Sequence, residues 1–178
     1  MEPRSYMCGY CDHRVASDRG WWTKTNNQAR IYLCSNCHQP TYFNFQGRQY
    51  PGPPCGDDVA SVPKDVGALY AEARFCVTVN SFTAAVLTCR KLLMHIAVEK
   101  GAQPGKKFIE YVEYLAGKGY VPPDGMGWVD HIRTKSNEAN HEINIMSVED
   151  AKDLITFSEM LLKFVYEFPA KVKLPAAP

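Results

Sequence analysis

The spacing of apolar residues changes near residue 60, and this change divides the chain into two parts. Residues 5–50 contain short apolar runs, such as the run at residues 31–33, set among aromatic and polar residues. Short runs of this kind predict strands and tight turns. Beyond residue 63 the apolar residues recur with the period of about 3.6 residues that is typical of amphipathic helices. The order of strands first and helices second predicts two separate modules.

The first three predicted helices have clear ends. An apolar stripe predicts one helix over residues 64–79, and a second follows Ser81, which can act as its N-cap. Gly101 stands where a left-handed residue commonly ends a helix, so the second helix is predicted to end there. A third apolar stripe covers residues 108–116 and is ended by glycines.

Two further helices complete the predicted bundle. The turn-forming sequence of residues 122–125 precedes a fourth helix that starts near Met126. The last helix opens with Ser147-Val148-Glu149-Asp150, a capping-box pattern, and is predicted to end at Pro169. The second module is therefore an all-α bundle of about five helices.

A segment rich in proline and glycine separates the two modules. Such a segment disfavours a helix and favours an extended linker. We therefore predict four parts, which are residues 1–50 as a β module, 51–63 as a linker, 64–168 as a helical domain and 169–178 as a tail.

The charge balance limits the binding partners. The chain has 20 lysines and arginines against 19 acidic residues, a formal net charge of +1, so any contact with nucleic acid must depend on a local cluster of cations. No stretch approaches the roughly 20 apolar residues of a membrane span, and the first residues lack an apolar secretory core. We expect a cytoplasmic protein without a membrane partner.

Two C-x-x-C pairs are the strongest chemical signal. The ligand candidates Cys8, Cys11, Cys34 and Cys37 leave 22 residues between the pairs. Zinc prefers four thiolate or imidazole ligands in a tetrahedron, and two such pairs complete this shell. The alternatives are two independent pairs or a redox dithiol, but no thioredoxin-like βαβ pattern follows either pair. The spacing favours one structural zinc ion, which cannot activate water because its shell is closed.

Other candidate ligands are left outside this site. His13 and His38 follow the ligand cysteines closely, but four thiolates already fill the shell, so we treat both as bystanders. Three further cysteines, Cys55, Cys76 and Cys89, remain unassigned.

The β module also combines cations with aromatic rings, a mixture that can hold single-stranded nucleic acid. The residues concerned are Arg4, Arg14, Arg19, Lys24, Arg30 and Arg48 with Tyr10, Trp21, Trp22 and Tyr42. A solvated minidomain is the alternative that we favour, because the module is small and the chain is nearly neutral. Exposed Trp21 and Trp22 could instead recruit a protein partner.

A polar stripe follows the predicted fourth helix. At about 100° per residue, one sector of this helix collects the polar residues Arg133, Asn137, Asn140, His141 and Asn144. A cation, several amides and an imidazole could bind a phosphate and move a proton. The alternative, favoured by spacing alone, is a hydrogen-bonded network that packs this helix against its neighbours.

An ordered series of motifs resembles a known family. The series comprises Pro63, Glu72-Ala73, residues 84–87 followed by Arg90, and Arg133-x-x-x-Asn137-x-x-x-His141. Over residues 60–168 these motifs resemble the domain-of-unknown-function 4145 (DUF4145) family of the HEPN-like superfamily. The resemblance implies a small N-terminal β zinc ribbon followed by an all-α HEPN-like helical bundle.

The resemblance to HEPN nucleases implies an activity. It implies metal-independent RNA cleavage by a homodimer, in phage defence or RNA processing, with the 2′-hydroxyl of RNA as nucleophile. His141 would be the acid or base, Asn137 its polar partner, and Arg133 the cation that stabilises the phosphorane. Arg90 is a secondary candidate.

One position departs from the nuclease motif. Ser136 precedes Asn137 where the motif has arginine. Arg90 could supply that charge, or it could pair structurally with an acid such as Glu72. The departure favours an alternative function, in which the same fold binds nucleic acid, a nucleotide or a protein without catalysis.

Overall fold

The computed structural model of the protein describes residues 1–23, 29–122, 125, 127–129 and 145–172. Within these ranges short antiparallel strands come first and helices follow, as the change of period predicts. The strands are β1 (Arg4–Met7), β2 (Arg14–Ser17), β3 (Gly20–Trp22), β4 (Arg30–Leu33), β5 (Pro40–Phe43) and β6 (Gln49–Tyr50). The helices are α1 (Lys64–Thr78), α2 (Phe82–Glu99), α3 (Phe108–Gly117), α4 (Val148–Leu162) and α5 (Phe168–Lys171).

The β module consists of two small antiparallel sheets. β1 pairs with β2, and the other four strands form a sheet in the order β3-β4-β5-β6. Alternate residues face inward, so Tyr6, Tyr32 and Phe43 are buried together. The Phe43 ring meets the other two rings edge-on, with centroids 5.4 Å and 5.7 Å away. This aromatic core is separate from the core of the helices.

The helical domain is built around α2. This helix packs against α1, α3 and α4. Its inward positions Cys89, Leu92, Leu93 and Ile96 are fully buried. Burying a leucine or isoleucine side chain contributes about 1.5–3 kcal/mol, so this stripe stabilises the domain by several kcal/mol. None of the helices in the described ranges is long and apolar enough to cross a membrane.

Two predicted helix ends are confirmed. Gly101 adopts φ +100° directly after the C-cap of α2, a conformation that residues with a side chain rarely adopt. At the start of α4, Ser147 Oγ accepts a hydrogen bond from the Asp150 amide at 3.1 Å. The Asp150 carboxylate in turn accepts a hydrogen bond from the Ser147 amide at 3.0 Å, which completes the capping box.

One further predicted helix start is confirmed, and one predicted helix end is wrong. Ser81 is the N-cap residue of α2, but its side chain makes no capping hydrogen bond. The last helix does not end at Pro169, because a π-helical turn over Lys163–Glu167 carries the chain from α4 into α5. Pro169 is the second residue of α5.

The segment between the modules, residues 51–63, packs along the helical domain, and we call it the strap. Tyr70 of α1 donates a hydrogen bond from its hydroxyl to the Asp57 carbonyl at 3.1 Å. The strap amide of Ala60 donates to the Glu167 carboxylate at 3.0 Å. Val59 is buried in the core of the helices. The strap is therefore held in place by the first helix of the domain, α1, and by the π-helical turn near its C-terminal end.

Candidate metal centre and the arginine sites

The four cysteines of the two C-x-x-C pairs meet in one cluster. Their sulfur atoms all lie within 4.8 Å of one another. Cys8 Sγ lies 3.7 Å from Cys37 Sγ, and Cys11 Sγ lies 3.7 Å from Cys34 Sγ. A tetrahedral zinc ion with Zn–S bonds of about 2.3 Å requires sulfur atoms about 3.8 Å apart. The cluster therefore has the size and the donor set to bind a metal ion such as zinc.

The two pairs occupy equivalent turns. In the first turn the Cys8 amide donates to the His13 carbonyl at 2.9 Å, and in the second the Cys34 amide donates to the Gln39 carbonyl at 3.0 Å. The residue after each second cysteine is left-handed, with φ of 57° at Asp12 and 62° at His38. This repeated conformation brings two thiols of each turn toward the shared centre.

Hydrogen bonds prepare the thiols for a cation. The Asn36 side chain donates to Cys11 Sγ at 3.5 Å, and the Asn36 amide donates to Cys34 Sγ at 3.4 Å. Burial alone raises the pKa of Cys11, but hydrogen bonds from Asn36 and the other neighbours lower it to about 6. At Cys11 the lowered pKa favours the thiolate, which is the form that coordinates metals, whereas burial raises the pKa of Cys8 and of Cys37.

The other cysteines, together with His13 and His38, lie outside the cluster. His13 Nδ1 lies 2.6 Å from the Cys11 carbonyl oxygen, and the His38 side chain is exposed. Cys89 is buried on α2, where burial raises the pKa of its thiol to about 12. Cys55 and Cys76 are half-buried and free. Within the described residues only the four paired cysteines form a potential metal site.

Arg74 joins the cysteine cluster to the helices. Sequence patterns did not predict this role. Its side chain on α1 is 7% exposed and forms ion pairs with Asp12 and Asp58. It also donates to the strap carbonyls of Cys55 at 3.0 Å and Gly56 at 2.6 Å. Because Asp12 follows Cys11 directly, one guanidinium connects the metal-binding turn, the strap and α1. The sequence did contain a signal for it. Arg74 stands four positions after the core residue Tyr70, so it lies on the same, inward face of the helix.

The family of the helical domain follows from a comparison with family models. The model described as domain of unknown function (DUF4145) matches residues 71–175, more than half of the chain. The chain belongs to the DUF4145 family. The match begins within α1, so the strands and the cysteine cluster lie outside it. Searches of curated proteins and of solved structures gave no match.

The predicted catalytic residues of the DUF4145 domain lie outside the described residues. This applies to Arg133, Asn137 and His141, and also to Ser136. Residues 127–129, near the predicted start of the fourth helix, are helical. The Trp128 ring stacks on Phe157 of α4 at a centroid distance of 6.5 Å, so this start adjoins α4.

Arg90, the secondary candidate, lies in a groove of the DUF4145 domain. The groove has a volume of about 850 Å³ and is lined by α1, α2 and Tyr111 of α3, with Lys91 and His95 beside Arg90. The guanidinium lies 4.6 Å from the centre of the Phe108 ring. Within the described residues it forms no ion pair, so of the two alternatives the pair with Glu72 is not formed. Burial lowers the pKa of Arg90.

Proposed function

We propose that this DUF4145 protein is a HEPN-like endoribonuclease with a structural zinc ribbon, active as a homodimer in the cytoplasm. The observation that carries the proposal is Arg90, a half-buried cation that lines the groove together with Asp65 and forms no ion pair within the described residues. Burial of a cation is costly unless an anion compensates it. A phosphate of RNA would supply that anion.

The proposed reaction follows from the roles that the resemblance gives to the polar stripe. His141 removes the proton from the RNA 2′-hydroxyl, and the resulting oxygen attacks the adjacent phosphorus. Asn137 orients His141, while Arg133 stabilises the negative charge of the phosphorane. The bond to the 5′-oxygen breaks, that oxygen takes up a proton, and a cyclic phosphate remains. No step uses a metal ion.

Arg90 would compensate for the departure at Ser136. The nuclease motif carries an arginine at this position, and its loss removes one positive charge from the site. Arg90 has a fork of donors that matches a phosphate in geometry and charge. We propose that it holds a phosphate next to the one that is cut.

In this proposal the zinc ion has a folding role. The four thiols of the cluster fill a tetrahedral shell, so no position is left for water or substrate. The β module would then be a zinc ribbon that depends on the ion for its fold. Phage defence and RNA processing are the two settings that such a nuclease would suit.

The test is cleavage of a labelled single-stranded RNA by purified zinc-loaded protein in the presence of EDTA. We expect wild type to cut the RNA and His141→Ala to leave it intact. An RNA with a single 2′-deoxy residue at the cut position should also resist cleavage, because it lacks the nucleophile. Equal cleavage by wild type and His141→Ala would refute the proposed mechanism.

Arg90→Ala tests the observation on which the proposal rests. Loss of one preorganised cation should slow cleavage by about tenfold to a hundredfold. Lys118→Ala, which removes an exposed cation from the same domain, is the matched control and should leave the rate unchanged. If Arg90→Ala cleaves as fast as wild type, Arg90 has no part in the reaction.

Binding without cleavage is the second candidate function, and Ser136 favours it because the arginine of the nuclease motif is absent. In that case RNA binds in a salt-sensitive way and is recovered intact. Loss of binding in Arg133→Ala would place the binding site on the polar stripe.

A further inference from the structure

The outer face of the four-stranded sheet carries one continuous row of large apolar side chains. The strand register places Trp21 of β3 opposite Ile31 of β4, Ile31 opposite Tyr42 of β5, and Tyr42 opposite Tyr50 of β6. Residues directly opposite in antiparallel strands point to the same face. These four residues therefore form a row across the whole sheet, which we call the outer row.

Three residues of the outer row are exposed to solvent, and Tyr50 is half-buried. Trp21 is 62% exposed, Tyr42 41% and Ile31 36%. The opposite face of the same sheet supplies Tyr32 and Phe43 to the core of the module, so the outer row is not needed to close that core. The helical domain meets the β module elsewhere, through Asp12, which pairs with Arg74, and through the Tyr10 ring, whose centroid lies 6.3 Å from that of Phe75.

Two exposed arginines lie next to the two ends of the outer row. The Leu33 amide donates to the Arg19 carbonyl at 2.9 Å, which continues the ladder and places Arg19 two residues from Trp21. At the other edge the Asn44 amide donates to the Arg48 carbonyl at 3.0 Å, two residues from Tyr50. Arg19 directly precedes β3 and Arg48 directly precedes β6, so the two arginines adjoin opposite ends of the outer row.

The face carries positive charge without acidic residues. The outer row consists of Trp21, Ile31, Tyr42 and Tyr50, and on either side of it lie residues two positions away along each chain segment. These flanking residues are Arg19, Leu33 and Pro40 on one side and Thr23, Ala29, Asn44 and Arg48 on the other. None of them is an aspartate or a glutamate. Neither arginine forms an ion pair within the part of the chain that the structure describes. Both guanidinium groups are thus available to an external anion.

We propose that the outer row binds single-stranded nucleic acid, with bases stacked on Trp21 and Tyr42 and phosphates held by Arg19 and Arg48. Exposed rings beside cations suit a strand whose bases are unpaired, because every base has a face that can stack. A duplex keeps its bases inside and offers the rings nothing to stack on. Two strand spacings, about 9.5 Å, separate Trp21 from Tyr42, so each ring can hold its own base.

The absence of acidic residues argues for a polyanion over a protein partner. Charge complementarity selects the partner at a surface of this kind, and the net charge of the chain adds almost nothing to it. The attraction must therefore come from the arginines of this face. The inference goes beyond the proposed cleavage, because stacking and phosphate contacts need no 2′-hydroxyl.

The test uses a fluorescently labelled single strand of oligo(dT) and full-length, zinc-loaded protein, with binding followed by anisotropy at low salt. DNA lacks the 2′-hydroxyl that the proposed cleavage requires, so the result does not depend on whether RNA is cut. We expect saturable binding by wild type. Trp21→Ala and Tyr42→Ala should each weaken binding by about fivefold to a hundredfold.

Trp22→Ala is the matched control, because Trp22 is also exposed, at 55%, but stands on the opposite side of β3. It should change the affinity by less than about twofold, well below the loss of one stacked base. Arg19→Ala and Arg48→Ala should each weaken binding and reduce the salt dependence by about 0.7 in the log–log slope. Zinc content and circular dichroism of every variant establish that the fold is intact.

Four results would overturn the inference. The first is no saturable binding of oligo(dT) by wild type. The second is wild-type affinity in Trp21→Ala. The third is tighter binding of a duplex of the same length than of the single strand. Self-association that is abolished by Trp21→Ala, without oligo(dT) binding, would also overturn it and would assign the row to a second copy of the chain.

Discussion

Replacing Arg74 with methionine should uncouple the β module from the helical domain. Methionine has a similar length but neither charge nor donors, so it keeps most of the packing and removes every polar contact of this side chain. These contacts are the ion pairs with Asp12 and Asp58 and the hydrogen bonds to the carbonyls of Cys55 and Gly56.

The expected loss in the free energy of unfolding depends on how exposed each partner of Arg74 is. Asp58 is 87% exposed and can return to water, so its pair contributes about 0–1 kcal/mol. Asp12 is 32% exposed and loses a partner on its buried side. The carbonyls of Cys55 and Gly56 lose a charged donor, and each loss costs about 1 kcal/mol or more. We expect a loss of about 3 kcal/mol in total, which lowers Tm by about 6–12 °C in a chain of this size.

The assay separates the two modules by their tryptophans. The chain has three, of which Trp21 and Trp22 lie in the β module and Trp128 belongs to the helical domain. In a Trp128→Phe background fluorescence reports on the β module, while far-ultraviolet circular dichroism reports mainly on the helices. Arg74→Met should lower the transition temperature seen by fluorescence more than the one seen by circular dichroism, because the β module loses its attachment to α1.

Two controls make this prediction refutable. Glu72→Ala changes an exposed charge on the same helix and should alter the free energy of unfolding by less than about 0.5 kcal/mol. Asp12→Asn combined with Arg74→Met completes a double-mutant cycle, which should give a coupling of at least about 0.5 kcal/mol. If Arg74→Met costs less than about 1 kcal/mol and the cycle shows no coupling, the network does not join the modules.

Two further predictions concern the metal cluster and the last long helix. The purified protein should contain one zinc ion per chain by elemental analysis, and Cys37→Ser or strong chelation should unfold the β module while most of the helical dichroism remains. Loss of both signals together would show that the modules fold as one. Ser147→Ala should lower the free energy of unfolding by about 1 kcal/mol, because it removes the cap of α4, whereas an unchanged free energy would mean that Asp150 alone suffices.

Local patterns predicted the features that depend on neighbours in sequence. The two C-x-x-C pairs predicted the cysteine cluster, because the chemistry of each turn is contained within a few residues. The capping box at Ser147 and the left-handed Gly101 depend equally on local backbone geometry. The change of period predicted strands before helices and placed α1, α2 and α3 close to their observed ends.

Contacts between distant residues could not be predicted in this way. Arg74 and Asp12 are 62 residues apart, and no local pattern relates them. Sequence alone also left open whether Arg90 pairs with Glu72, since both possibilities fit helical spacing. The outer row required the strand register, because only the register shows that Trp21 and Tyr42 share a face. No local sequence pattern predicted the π-helical turn before Pro169.

Metal binding at the cysteine cluster also affects the contact between the β module and the helical domain. The reason is the position of Asp12. The turn that carries Cys8 and Cys11 also sets the left-handed conformation of Asp12, and Asp12 contacts Arg74 of the DUF4145 domain. A metal ion that fixes this turn therefore also fixes one partner of the buried guanidinium. Because the strap supplies the other partners of Arg74, the sheet and the helical domain are held in one orientation. The outer row and the groove of Arg90 thus belong to one connected scaffold, on which a single strand could be bound at one place and positioned at another.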